Sequence, residues 1–357
     1  MLTSSVPTQA LSAPQQTAWR TAITISGDDF LINGTPTYAG RIWRGHRIEG
    51  LLLNSRMVQA TFDDINPATV NKWVYPDTGK WDAERNVSEF IHAMPEWRKR
   101  GLLAITINFQ GGSPTGYLNG LPWTNSAFEA DGALRPDYMS RIERVIKRAD
   151  ELGMVVIAGY FYFGQDKQFT GDDAIQHAAD VATNWLLDKG FTNVLVEIAN
   201  EDGPAYHHPI LKAERVHELI TRVARIHRGA RGLLVGTSFG GGWIPTEDVA
   251  RSSDFMLIHG NGVSDPATIT QMIHQTRALR SYTPKPIVFN EDDHFDFDKP
   301  TNNFVAALAE HVSWGYFDYR KAGEGFDDGF QSVPVNWTIS SPRKRAFFDL
   351  LADVTGS

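Results

Sequence analysis

The sequence predicts an α/β protein, a (β/α)8 TIM barrel preceded by a short N-terminal β-hairpin. Short apolar runs alternate with amphipathic stretches eight times along the chain, and several of those runs end abruptly in polar side chains. Strands covered on both faces read as continuous aliphatic runs, and in a barrel their C-terminal ends open onto one common face. A chain of 357 residues suits a single barrel of this kind.

Residues 1–20 are rich in Ser, Thr, Gln, Ala and Pro, without a basic n-region or an apolar h-region, and read as a disordered tail. Residues 21–357 are expected to form one catalytic domain. It begins with a hairpin over 21–38, signalled by Gly27-Asp28-Asp29 and by Asn33-Gly34, which would plug the bottom of the barrel. The expected strands are Met57–Asp64, Leu102–Gln110, Met154–Tyr162, Val194–Glu201, Leu233–Phe239, Phe255–Gly260, Pro286–Glu291 and Val312–Tyr319. Helical periodicity marks Ala83–Lys99, Pro136–Leu152, Asp172–Lys189, Lys212–Ile226, Pro266–Leu279 and Asn302–Glu310, with a closing helix over Pro342–Val354. Long segments at 110–134 and 321–340 are expected to shape a cleft at the strand ends.

The chemistry is expected where NVLVEIANED, residues 193–202, leaves the fourth strand. A buried strand should end in small or apolar residues, yet this one ends in Asn200 and Glu201. The seventh run, PIVFNEDD, ends likewise in Glu291. Two carboxylates on strands across a barrel mouth are what glycoside bond cleavage requires, one to protonate the leaving oxygen and one to attack or assist at the anomeric carbon. Glu197 shares parity with Glu201 and is expected inside the barrel, paired with a cation such as Arg41 or Arg56. NFQGG at strand two and GYFYFGQ at strand three add Asn108, Gln110, Tyr160, Tyr162 and Gln165, side chains that bond or stack with sugars.

The Asn-Glu at the fourth strand and the Glu at the seventh, with IHGNG at the sixth (258–262) and SWGYFDY at the eighth (313–319), resemble the clan A glycoside hydrolases. That superfamily comprises retaining barrels that include cellulase-like and β-galactosidase-like enzymes. The resemblance covers roughly residues 38–354. It implies Glu201 as general acid/base, Glu291 as nucleophile, Asn200 as a bond to the sugar 2-hydroxyl, His259 or Asn261 as support for the nucleophile, and Trp314 as a platform beneath the sugar. It implies no cofactor and no metal. The chain departs from the clan where Asp202 and Gly203 follow Glu201 in place of Pro, and where Asn290 precedes and Asp292, Asp293 and His294 follow Glu291.

A net charge of −8 argues against nucleic acid as partner, and no apolar run is long enough to span a bilayer. The absence of cysteine removes disulfides and thiolate metal sites. A carbohydrate partner met outside the cytoplasm, secreted or periplasmic, is the expectation. The rival readings are an inactive carbohydrate-binding barrel and a metal-dependent hydrolase, the latter drawing on His207-His208 or Asp292-Asp293-His294. The arginines of GRIWRGHRIEG (40–50), Arg41, Arg44 and Arg47, are expected in solvent or ion pairs rather than on an anionic substrate.

Overall fold

The computed structural model describes residues 19–116, 122–203 and 205–357, so most of the expected N-terminal tail lies outside the described residues. Strand and helix alternate through β1 (Asn54–Arg56), α1 (Ala83–Lys99), β2 (Ala104–Asn108), α2 (Pro136–Glu151), β3 (Val155–Tyr162), α3 (Asp172–Asp188), β4 (Val194–Asn200) and α4 (Val216–Ala224). They continue through β5 (Leu234–Gly236), α5 (Glu247–Ser252), β6 (Met256–His259), α6 (Pro266–Arg277), β7 (Ile287–Glu291), α7 (Asn303–Ala309), β8 (Gly315–Tyr316) and α8 (Pro342–Thr355). Parallel ladders link β5, β4, β3, β2, β1 and β8 in that order, and β6 pairs with β7. Backbone hydrogen bonds between Ser313 and both Ile287 and Phe289, with a bridge from Asp292 to Tyr316, join β7 to β8. The Asp254 amide donates to the Val235 carbonyl beside β5 and β6, completing the (β/α)8 barrel.

Seven helices form where helical periodicity places them. Four of their starts are fixed by side-chain caps on free backbone N–H groups: Asp82 before α1, Asp265 before α6, Asn302 before α7 and Ser341 before α8. The short α5, capped by Thr246, was not anticipated, because six residues carry too little periodicity. The first strand is also displaced. Met57–Asp64 holds a 3-10 turn at Val58–Thr61, and the strand lies just before it. Its residues Asn54, Ser55 and Arg56 are buried and polar, so the aliphatic signature of a strand is missing there.

The N-terminal ribbon pairs Ile23–Ser26 with Asp29–Ile32, and a third short strand adds Thr35–Pro36. Its Ile23 and Phe30 pack on Leu52, Leu103, Val155, Ile157, Leu195, Phe255, Leu257 and Val288, the residues at the start of the barrel strands. The ribbon therefore closes the bottom of the barrel. The arginines of 40–50 lie at this closed end: Arg41 donates to the carbonyls of Asp353 and Val354 at the end of α8, and Arg47 pairs with Asp29. Among the described residues no helix is long and apolar enough to cross a membrane.

The ribbon's contribution is measurable. Phe30→Ala removes a ring with no exposed surface and is expected to cost about 3–5 kcal/mol in urea unfolding. Ile42→Ala, at a side chain 63% exposed, should stay within about 0.5 kcal/mol. Equal effects from the two changes would contradict the plug.

Candidate active site

The centre of the open mouth is a buried cation. Arg56, at the end of β1, is 1% exposed and meets three side chains: Glu291 Oε2 at 2.6 Å from its Nε, Asn200 Oδ1 at 2.5 Å from Nη2 and Glu197 Oε2 at 3.4 Å from Nη1. Glu197 also accepts from Asn290 Nδ2 at 3.1 Å. Of the two cations expected to serve Glu197, Arg56 does so and Arg41 does not. Asn108, from β2, lies alongside, its Oδ1 resting over Gly159 of β3, where any Cβ would come within 2.2 Å of it.

Glu201 and Glu291 come together above this layer. One oxygen of each, and a ring nitrogen of His259, all lie within 4.8 Å of one another. His259 Nδ1 is 3.0 Å from Glu201 Oε1 and 3.7 Å from Glu291 Oε2; facing carboxylates, it donates. A register shift between Ile258 and His259 aims the ring inward. Asn261 Nδ2 donates to Glu291 Oε1 at 2.5 Å.

The two carboxylates differ in surroundings. Glu291 is nearly buried, with a side chain 6% exposed, and that burial raises its pKa above the ordinary range, while Arg56, His259 and Asn261 favour its charged form. Glu201 is 22% exposed at the side chain. Burial works against a charge on His259, but Glu291 and the bond to Glu201 outweigh it and raise its pKa, favouring imidazolium. Burial, then the charges of Glu291 and Glu201, push the Tyr162 phenol far above its usual value, so it remains a donor.

Glu201 has a left-handed backbone, φ 52°, a conformation that costs a non-glycine residue about 1–2 kcal/mol. Ser238, just after β5, holds it: its Oγ accepts from the Glu201 amide at 3.0 Å and its carbonyl accepts from the Asp202 amide at 2.9 Å.

Not every expected residue reaches the mouth. Tyr160 faces the helices, its hydroxyl 3.1 Å from Thr183 Oγ1 of α3, whereas Tyr162 stands beside the carboxylates. Alternation would have put both on one face. It fails because Tyr160 and Phe161 both pack into the outer core, as do Ile198 and Ala199 on the neighbouring β4. The same slip brings Asn200 round to Arg56. Trp314 cannot be a platform: it has no exposed surface, bonds Asp292 Oδ2 through Nε1 at 3.0 Å and stacks on Phe304 between strand and helices. Gln110 is a loop brace, its amide spent on the Gln165 carbonyl, Ser126 and the Tyr162 amide.

Two residues at the mouth were not expected. Trp243 is 55% exposed and rims a cleft of about 240 Å³ lined by Phe163, Glu201, Asp202, Gly203, Ala205 and Gly240. The signal was present in GGGW, since three glycines leave a tryptophan nothing to pack against. Asp202 lies almost wholly buried. A second triple of ligand-type atoms, Asp292, Asp293 and His294, lies within 4.8 Å, but Asp292 is already bonded by Trp314, Asn303 and His294. Arg56 stands beside the Glu201, His259 and Glu291 triple, so neither group is assigned an ion.

No protein-family model matches the sequence, and no curated relative matches it. The fold does match solved structures. An endo-1,4-β-mannanase from Rhizomucor miehei superposes with a TM-score of 0.57 at 12% identity, over 94% of this chain and 99% of that one. A GH5-4 broad specificity endoglucanase from Bacteroides salanitronis gives 0.55 at 12% identity over 85% and 93%. A β-mannanase from the blue mussel Mytilus edulis gives 0.51 at 12% over 93% and 97%. At such identities the likeness is one of fold, the (β/α)8 barrel.

Removing the central cation tests the network. Arg56→Met leaves Glu197 and Glu291 buried without their partner and is expected to destabilise by about 3–5 kcal/mol at neutral pH. Denaturation at pH 4 should show a smaller deficit, because both carboxyls can then take up a proton. A deficit independent of pH would mean that lost packing, not lost charge, sets the cost.

Proposed function

We propose that this protein is a retaining glycoside hydrolase that cleaves O-glycosidic bonds of an oligo- or polysaccharide by double displacement. The observation that carries the reading is the approach of Glu201 and Glu291 to within 4.8 Å, oxygen to oxygen, at the open mouth of the barrel. Retaining enzymes hold their carboxyl groups about 5–5.5 Å apart, and inverting ones about 6.5–9.5 Å apart, to leave room for a water.

In the first step Glu291, its negative charge favoured by Arg56, His259 and Asn261, attacks the anomeric carbon. Glu201, the more exposed of the pair, gives its proton to the departing oxygen. In the second step Glu201 acts as base toward a water that enters from the cleft beneath Trp243, and the sugar leaves with its configuration retained. Asn200, its oxygen committed to Arg56, has its amide N–H groups left to donate to the sugar. Tyr162, kept protonated, is a second donor to the same ring or to Glu291. The named likenesses, to mannanases and an endoglucanase, direct the first substrates to β-mannan and β-glucan; a polymer of this size is met outside the cytoplasm.

Wild type and Glu291→Ala are to be compared on aryl glycosides, β-mannan and β-glucan. Hydrolysis by the wild type and none by the variant is the expected outcome, with the first-formed anomer of retained configuration by NMR. Sugar binding without hydrolysis would favour a carbohydrate-binding barrel, and an inverted product would refute double displacement. Glu201→Gln is expected to lose about 10²–10⁴-fold on substrates with poor leaving groups and far less on activated aryl glycosides in kcat/KM. Equal losses on both would remove Glu201 from the acid role.

A further inference from the structure

Asp202 follows Glu201 directly, and its place in the fold is unusual for a carboxylate. The residue is 2% exposed, and among the described residues neither of its side-chain oxygens has a hydrogen-bond partner. The charged groups that face it are carboxylates, Glu197 on β4 and Glu214 ahead of α4, and the phenol of Tyr206 lies near it as well. From the segment after β5 it is its backbone that is met, by the Ser238 carbonyl and a bridge to Phe239. Every buried carboxylate that contacts Arg56 has found a cation; this one has not.

An ionised carboxylate in such a place would be a bare buried charge beside two others, which a fold does not sustain when a proton can remove it. Burial first, then Glu214 and Glu197, push its pKa well above the ordinary range. The backbone of the same residue shares with Glu201 the two Ser238 hydrogen bonds that hold the left-handed turn.

We propose that Asp202 is a positioning residue that works as a neutral acid: with its proton on, the carboxyl packs beneath the turn that aims Glu201, and losing the proton drives the side chain toward water and takes the turn with it. The role rests on reading Glu201 as the acid/base, whereas the protonation itself does not.

The direction in pH follows from the raised pKa. Below the unfolded value of about 4, the carboxyl is protonated folded or unfolded and costs nothing. As pH rises toward the folded pKa, the unfolded chain alone releases the proton and stability falls. Asp202→Asn, of the same shape and without charge, is therefore expected to melt with the wild type at pH 4 and at least about 2 °C above it at pH 8. Asp202→Ala leaves a small cavity that lowers Tm throughout, yet its gap to the wild type must drift in the same direction. The second reading is the alkaline limb of kcat/KM on a dinitrophenyl glycoside, whose leaving group needs no proton from Glu201. That limb should move up by a pH unit or more in Asp202→Asn. A Tm gap constant with pH, or a limb that stays in place, overturns the proposal. Absence of hydrolysis by the wild type overturns the positioning role together with the glycosidase reading, and the Tm comparison, which needs no substrate, separates that failure from a failure of the neutral acid.

Discussion

The open end of this barrel depends on one buried guanidinium. Arg56 cannot give up its proton, so the fold must supply anions and acceptors wherever it lies. Glu291, Glu197 and Asn200, from β7 and β4, answer it, and Asn290 secures the far side of Glu197. The consequences reach strands that never touch the charge. Gly159 on β3 has no side chain because Asn108 occupies the space, and Gly315 on β8 yields in the same way to Asn54. A polar layer of this kind cannot be installed one residue at a time, since each member left alone would be an unpaired buried group.

Above that layer the backbone itself departs from regularity. β3 and β4 lose alternation in step, at Tyr160–Phe161 and at Ile198–Ala199, so that Tyr162 and Asn200 turn inward together. β6 shifts register just before His259, and Glu201 takes a left-handed conformation. Two of these irregularities are held by specific side-chain bonds: the Glu201 turn by Ser238, just after β5, and the end of β4 by the Tyr206 hydroxyl on the Asn200 carbonyl. Of the left-handed non-glycine residues among those described, Asn33, Tyr38, Arg44, Glu201 and His311, Glu201 is the one that stands where the carboxylates meet.

These two features divide what the sequence discloses from what it hides. The helices were legible because burial on one face repeats every turn, and most strands because both faces are apolar. Glu201 and Glu291 stood out for the same reason, as charges ending aliphatic runs. β1 was misplaced because the polar layer had removed its aliphatic residues. Tyr160 and Tyr162 could not be told apart, since parity holds only for a regular strand. Trp314 looked like a platform because a tryptophan near a strand end looks alike whether it faces the mouth or the helices; its partners Phe304, Phe297 and Phe347 come from α7, α8 and a loop, and only the fold brings them together.

The proposed mechanism gives different roles to two glutamates that lie close together. Like charges at this distance disfavour double ionisation, so the site must decide which carboxylate holds the charge. The cations beside the two are shared unequally. Glu291 has Arg56 in contact, which cannot discharge, while Glu201 shares only His259, which can. Glu201 is the residue with more access to water, and Glu291 the one sealed against it, its pKa raised by burial even with Arg56 in contact. His259 touches both, and under the proposed mechanism an imidazolium there already stands beside Glu201 when that residue gives its proton to a leaving oxygen. One fixed cation and one adjustable one, together with the difference in burial, are what the proposed division into acid and nucleophile rests on.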